Sequence, residues 1–106
     1  MKSVVVIDAG ICGHKTTVTA VSEDKKHCTL AIETDCKNIA RMAEDLDEVN
    51  PLFEIGVKSK NSKIRKGFLD YGSHAACPVP AGLVKAVEVA SGLAVPKDAI
   101  ITVSKG

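Results

Sequence analysis

Two short stretches carry most of the reactive side chains in this chain. In "DAGICGHKT" Cys12 and His14 flank Gly13, and in "SHAACPVP" His74 stands three residues before Cys77. The remaining thiols are Cys28 and Cys36, and the remaining imidazole is His27. A thiolate is both a soft metal ligand and a nucleophile. Three thiolates with one imidazole would close a tetrahedral zinc site or hold a two-iron cluster. Cys12, Cys36 and Cys77 are the candidate sulfur donors. His74 is the preferred fourth ligand because a short loop joins it to Cys77; His14, beside Cys12, is its rival. Cys77 with His74 as its base would also suit a nucleophilic thiol. No CxxC pair is present, so a shared site requires the fold to bring three distant loops to one end. Three unrelated thiols are the alternative.

The elements that must position these groups can be read from periodicity. Ser3 to Ala9, Thr16 to Val21 and Cys28 to Glu33 are β-branched or alternating runs that predict three strands, with Ser22 to Lys26 as a hairpin turn. Alternation puts Cys28 on one face with Leu30 and Ile32, where a small buried hydrophobe fits. His27 reads as exposed, with no partner in sequence. From Asp35 the spacing of Ile39, Met42, Ala43 and Leu46 predicts a helix capped by Thr34 or Asp35 and ended by Pro51. Gly56 to Lys66 reads as a polar, lysine-rich loop, followed by a short helix ending near Tyr71-Gly72 that Gly67 weakens. Pro78 and Pro80 open another helix through Leu83, Val84, Ala86, Val87 and Ala90, with Gly92 as its C-cap. After Pro96, Ala99 to Val103 predicts a final strand.

The expected architecture is α+β: a small antiparallel or mixed sheet, three N-terminal strands plus a C-terminal strand, with helices packed on one face. Residues 1–106 read as a single domain. On that outline Cys12 lies in the turn between the first two strands, Cys36 at the mouth of one helix and Cys77 just ahead of another. A helix N-terminus favours a thiolate and lowers a cysteine pKa from about 8.5 to roughly 4–7.

Composition narrows the classes. Net charge is +1 and the aromatics are Phe53, Phe68 and Tyr71 alone; neither general DNA binding nor a base-stacking platform is expected, so no nucleic-acid partner is assigned. Val4 to Ile7 is stopped by Asp8, too short for a secretory core, and nothing approaches the roughly 18 apolar residues of a membrane span. A cytoplasmic protein with free or metal-bound thiols is expected, rather than a disulfide framework. Lys58, Lys60, Lys63, Arg65 and Lys66 read as a solvated basic loop. Glu44, Asp45, Asp47 and Glu48 either pair with that loop or face water. Gly-rich phosphate motifs and a serine nucleophile elbow are absent, and no paired-carboxylate site can be argued.

The segments "ICGHKTTVTAV", "IETDCKNIARMAEDL" and "SHAACPVPAGLVKAVEVASG" together resemble the IscU/NifU-type iron–sulfur scaffold family. The resemblance covers about Asp8 to Gly92. "CKN" and "CPVP" are also similar to the small TSCPD domains. It implies a SufE/NifU (IscU)-like fold without turnover of its own. It also implies zinc or an iron–sulfur cluster on Cys12, Cys36 and Cys77 with His74. The implied partners are a cysteine desulfurase or an iron–sulfur acceptor protein, and a homo-oligomer sharing a ligand is compatible with it. Three departures stand out. Cys12-Gly13-His14 replaces the family's Cys-Gly-Asp, two alanines separate His74 from Cys77, and "GFLDYGSHAA" replaces the segment read by the chaperone. Chaperone-driven transfer is therefore not expected. Two other readings remain: a thiol-based sulfur acceptor or redox protein using Cys77 or Cys36, and an interaction module whose thiols do no chemistry.

Overall fold

A computed structural model describes residues 1–106. Three strands, β1 (Lys2–Asp8), β2 (Lys15–Ser22) and β3 (Cys28–Thr34), form an antiparallel meander, and a two-residue β4 (Glu48–Val49) adds to the far side of β3. The sheet order is β1-β2-β3-β4. Four helices follow or interrupt it: α1 (Lys37–Ala43), α2 (Pro51–Glu54), α3 (Lys63–Tyr71) and α4 (Val79–Ala90). The α+β class with helices on one sheet face is as the alternation predicts.

That alternation is the reason. Ser3 and Ile7 of β1, Thr16, Val18 and Ala20 of β2, and Cys28 and Leu30 of β3 are buried, while Val4, Val6 and Thr29 point the other way and are exposed. The buried row meets Leu83, Ala86, Val87 and Ala90 of α4 and Ile39 and Met42 of α1 in one core. Burying each such aliphatic side chain is worth roughly 1.5–3 kcal/mol. Two glycines set how closely layers approach. A Cβ on Gly82 would stand 2.4 Å from Ile7 Cδ1, so α4 lies directly on β1; one on Gly67 would stand 3.1 Å from Met42 Cγ, at the α1–α3 contact. Gly67 is therefore tolerated in α3 because the packing uses its missing side chain. Ser3 Oγ donates to Ala86 O at 2.7 Å and satisfies a hydroxyl buried under α4.

Several boundaries differ from expectation. The fourth strand is Glu48–Val49, paired with Thr29 and Cys28, and Ala99 to Val103 forms no strand. β-branched residues make a strand only where a partner offers hydrogen bonds, and this chain does not bring one to that segment. The first helix stops at Ala43, well before Pro51, because Glu44, Asp45, Asp47 and Glu48 oppose a helix C-terminus and Glu48–Val49 is taken by β3. Its N-cap is Cys36, not Thr34 or Asp35. Pro51 instead opens α2, where Asn50 accepts from Leu52 N through its side chain. The lysine-rich segment is shorter than expected, since Ser62 caps α3 by accepting from Arg65 N at 3.0 Å. The acidic cluster does not pair with it; Lys66 bridges Asp70 at 3.0 Å and Lys63 Nζ donates to Glu48 O. At the end of α4, Leu93 N bonds Glu88 O and Gly92 N bonds Val89 O. This Schellman closure requires Gly92 at φ +73°.

Candidate thiol site

Four segments meet at one end of the sheet. The β1–β2 turn lies there, and so does the exit of β3, because Thr34 is opposite Thr16. The first turns of α4 are there too, since Gly82 abuts Ile7 near the end of β1. Cys12, Cys36 and Cys77 thus sit on loops or caps at the same end, as does the loop holding His74.

Each loop has a local reason for its shape. Between β1 and β2 the chain turns through Gly10 at φ +90° and Gly13 at φ +74°, angles costly for a residue with a side chain. Gly13 N bonds Gly10 O at 2.9 Å, Ala9 N bonds His14 O at 3.1 Å, and Asp8 accepts from Gly10 N. The turn holds Cys12 and Ile11 out in solvent. At the exit of β3, Thr34 Oγ1 lies 2.8 Å from Thr16 Oγ1 and accepts from Cys36 N at 3.2 Å. Cys36 then caps α1 through its backbone alone, with its side chain half-buried against the core. Before α4, Cys77 N bonds His74 O at 3.1 Å, closing a turn that leaves Cys77 half-buried and His74 exposed.

Side-chain hydrogen bonds stitch these loops together. Asp35 Oδ1 lies 3.1 Å from His14 Nδ1 and accepts from Lys15 N at 3.0 Å, joining the β1–β2 turn to the residue before Cys36. The Lys15 amide, followed by His14, holds the Asp35 carboxyl below the usual range. Asn38 Nδ2 donates to Ser73 Oγ at 3.2 Å, and Ser73 Oγ lies 3.2 Å from His74 Nδ1, tying the first turn of α1 to the His74 loop. An ionised carboxylate only accepts, so the bond to Asp35 draws on a proton at His14 Nδ1 and leaves Nε2 as the ring nitrogen that Asp35 does not engage. Metal-ligating histidines are commonly oriented by such a carboxylate.

The chemistry of the donor set suits zinc or an iron–sulfur cluster; the distances do not form a ready-made site. No three His, Cys, Asp or Glu side chains stand close enough to hold an ion. All four cysteines are free thiols. Cys28 is fully buried in the core, and that burial pushes its thiol pKa up. His27 is exposed as expected, yet it has a partner: Asp24 Oδ2 lies 2.8 Å from its Nδ1 at the other end of the sheet. Sequence reasoning treated Asp35 only as a cap and passed over Asn38 and Ser73. Asp35's place beside Cys36 was the available signal; Asn38 and Ser73 carried none.

Comparison with known proteins assigns this chain to a family. It belongs to DUF6951, a family of unknown function, whose model matches residues 3–103. No curated protein and no solved structure matches it.

Proposed function

We propose that this DUF6951 protein binds zinc or an iron–sulfur cluster at its thiol end. Cys12, Cys36 and Cys77 are the sulfur donors, and His74 or His14 is the fourth ligand. The observation that supports this reading is the stitching of the three thiol-bearing loops by His14–Asp35, Lys15–Asp35 and Asn38–Ser73. Loops already joined need only a local closure to bring their donors together, and the metal supplies the free energy for that closure. The carboxylate on His14 favours it over His74 for the fourth place. A cytoplasmic setting keeps such thiols reduced. A cysteine desulfurase or an iron–sulfur acceptor protein is the partner class that this chemistry suggests.

Metal analysis and absorption spectra of anaerobically purified protein test the reading. Stoichiometric zinc, or visible charge-transfer bands, should be present and lost in Cys36→Ala. His14→Ala should weaken binding more than His74→Ala does. Folded protein that takes up neither zinc nor a reconstituted cluster overturns it.

A second reading is a thiol-based sulfur acceptor acting through Cys36 or Cys77. Their half-buried positions against the core favour it, because partial shielding protects a persulfide. Persulfide on one of these two thiols after incubation with a desulfurase and cysteine, in protein that binds no metal, selects this reading. An interaction module without thiol chemistry would tolerate serine at all four cysteines.

A further inference from the structure

The sheet has two free edges, and they differ. On the far side, β4 is two residues long, carries Glu48 and pairs only with Cys28 and Thr29, so the strand left open there, Ala31–Thr34 of β3, is short. β1 is seven residues long, without proline, glycine or a bulge, and its charges stand only at its ends, Lys2 and Asp8. Ser22 N bonds Met1 O and Ala9 N bonds His14 O, so the odd-numbered residues of β1 face β2. By the alternation of an antiparallel ladder, the backbone N–H and C=O of Lys2, Val4 and Val6 point to the open edge. Val4 and Val6 are 59% and 61% exposed.

A strand-forming segment without a partner lies elsewhere in the same chain. Residues 94–106 make no hydrogen bond, backbone or side-chain, to the rest of the molecule. Ile100, Ile101 and Val103 are 83%, 81% and 87% exposed. The DUF6951 match runs through this arm to residue 103, so the arm belongs to the family's domain. It leaves α4 at Gly92, where a Cβ would stand 2.8 Å from Met1 Cε, beside the start of β1. Even so, the arm does not lie on its own β1.

We propose that the arm, through Ala99–Val103, adds as a strand to the open β1 edge of a second copy of this chain, and that the second copy returns its arm in the same way. Reciprocal exchange closes the assembly as a two-fold dimer, in which both unpaired edges and both β-branched arms are satisfied. Laid parallel to β1 with Asp98 beside Lys2, the arm sets this pair of opposite charges on one face and places Ile101 and Val103 on the face of Val5 and Ile7. The inference is independent of metal or sulfur chemistry at the thiol end.

Sedimentation or light scattering across a dilution series reads the assembly directly. The full chain should be a dimer. A chain shortened to end at Pro96 and Ile101→Pro should both be monomers with the helical circular-dichroism signal unchanged, since neither change touches the core. Val4→Pro removes only an outward N–H, which an edge strand tolerates, and should also give a monomer. Mixing the shortened chain, which keeps its edge, with Val4→Pro, which keeps its arm, should restore a heterodimer. Lys2→Glu should weaken the dimer about two- to thirtyfold, as loss of two exposed ion pairs would, and adding Asp98→Lys should recover it. A full chain that is monomeric at every concentration overturns the proposal, whether the arm folds onto its own β1 or waits for another protein. A dimer that survives loss of the arm, a mixture that stays monomeric, or tighter association in Lys2→Glu overturns it as well.

Discussion

At the end of the sheet away from the thiols, Glu54 is 1% exposed, and its carboxylate accepts from Ser62 Oγ at 2.9 Å, Lys63 N at 3.0 Å and Ile64 N at 2.9 Å. It gathers the orphan donors of the first turn of α3 and locks α2 to α3. At the thiol end, Cys12 stands in solvent, and Cys36 caps α1 without using its side chain. Both regions are polar interruptions between apolar elements, yet one spends every polar atom on the fold and the other holds several in reserve. A buried carboxylate with both oxygens engaged is explained by stability. One exposed thiol, two half-buried ones and an imidazole beside a carboxylate are not, and that asymmetry supports the proposal of a site in the second region.

The largest effect that tests this contrast is at Glu54. Glu54→Ala leaves three donors without an acceptor in a buried place, and should lower unfolding free energy by about 2–4 kcal/mol. Glu54→Gln, which keeps the shape but turns an amide N–H₂ toward one donor, should fall between the two. Urea unfolding with an unchanged slope is the measurement. A loss under about 1 kcal/mol in Glu54→Ala would mean that water replaces the carboxylate and the region is not the structural lock described.

The same contrast bears on what could be read from residue order. The meander was legible because one face is buried, which forces strict alternation; Cys28 fell into the core by that rule alone. α4 was legible from its prolines and its apolar spacing. Glu54 was not, since a single glutamate ahead of a lysine-rich stretch looks like any surface acid until α3 is laid against it. β4 was hidden by its length, as Glu48–Val49 has no period to detect. Ala99 to Val103 has the composition of a strand, but pairing is a property of two segments, and composition reports on one. For the thiol end, the placement of Cys12, Cys36 and Cys77 at element ends could be read, because turns and caps have sequence signals. Their separations could not, because these depend on loop conformation.

At the thiol end the expected stability effect is small. Cys12→Ser replaces an exposed side chain on a turn held by glycine angles and backbone bonds, and should shift unfolding free energy by no more than about 0.5 kcal/mol. Loss of metal uptake in that variant with stability intact would sharpen the division between the two regions. A large destabilisation in metal-free protein would break it, showing Cys12 to be structural.

The smallest effect concerns His27 and Asp24, a polar pair of the hairpin that resembles His14 and Asp35 in its parts but lies far from the thiols. The Asp24 carboxylate, by its hydrogen bond, raises the His27 pKa above its ordinary value of 6.5, and Asp24 is correspondingly lowered from 3.8. For the histidine, the stabilisation is full below 6.5 and is lost as pH rises through the raised folded-state value. For the aspartate, it is full above 3.8 and is lost as pH falls through the lowered one. The pair therefore contributes fully between 3.8 and 6.5 and less on either side. Both groups are exposed, so the readout is the titration itself: NMR should give His27 an elevated pKa that returns to the ordinary value in Asp24→Asn, with no change in zinc uptake. An altered metal response in Asp24→Asn would show that the hairpin end communicates with the thiols, and the two ends would then have to be treated as one functional unit.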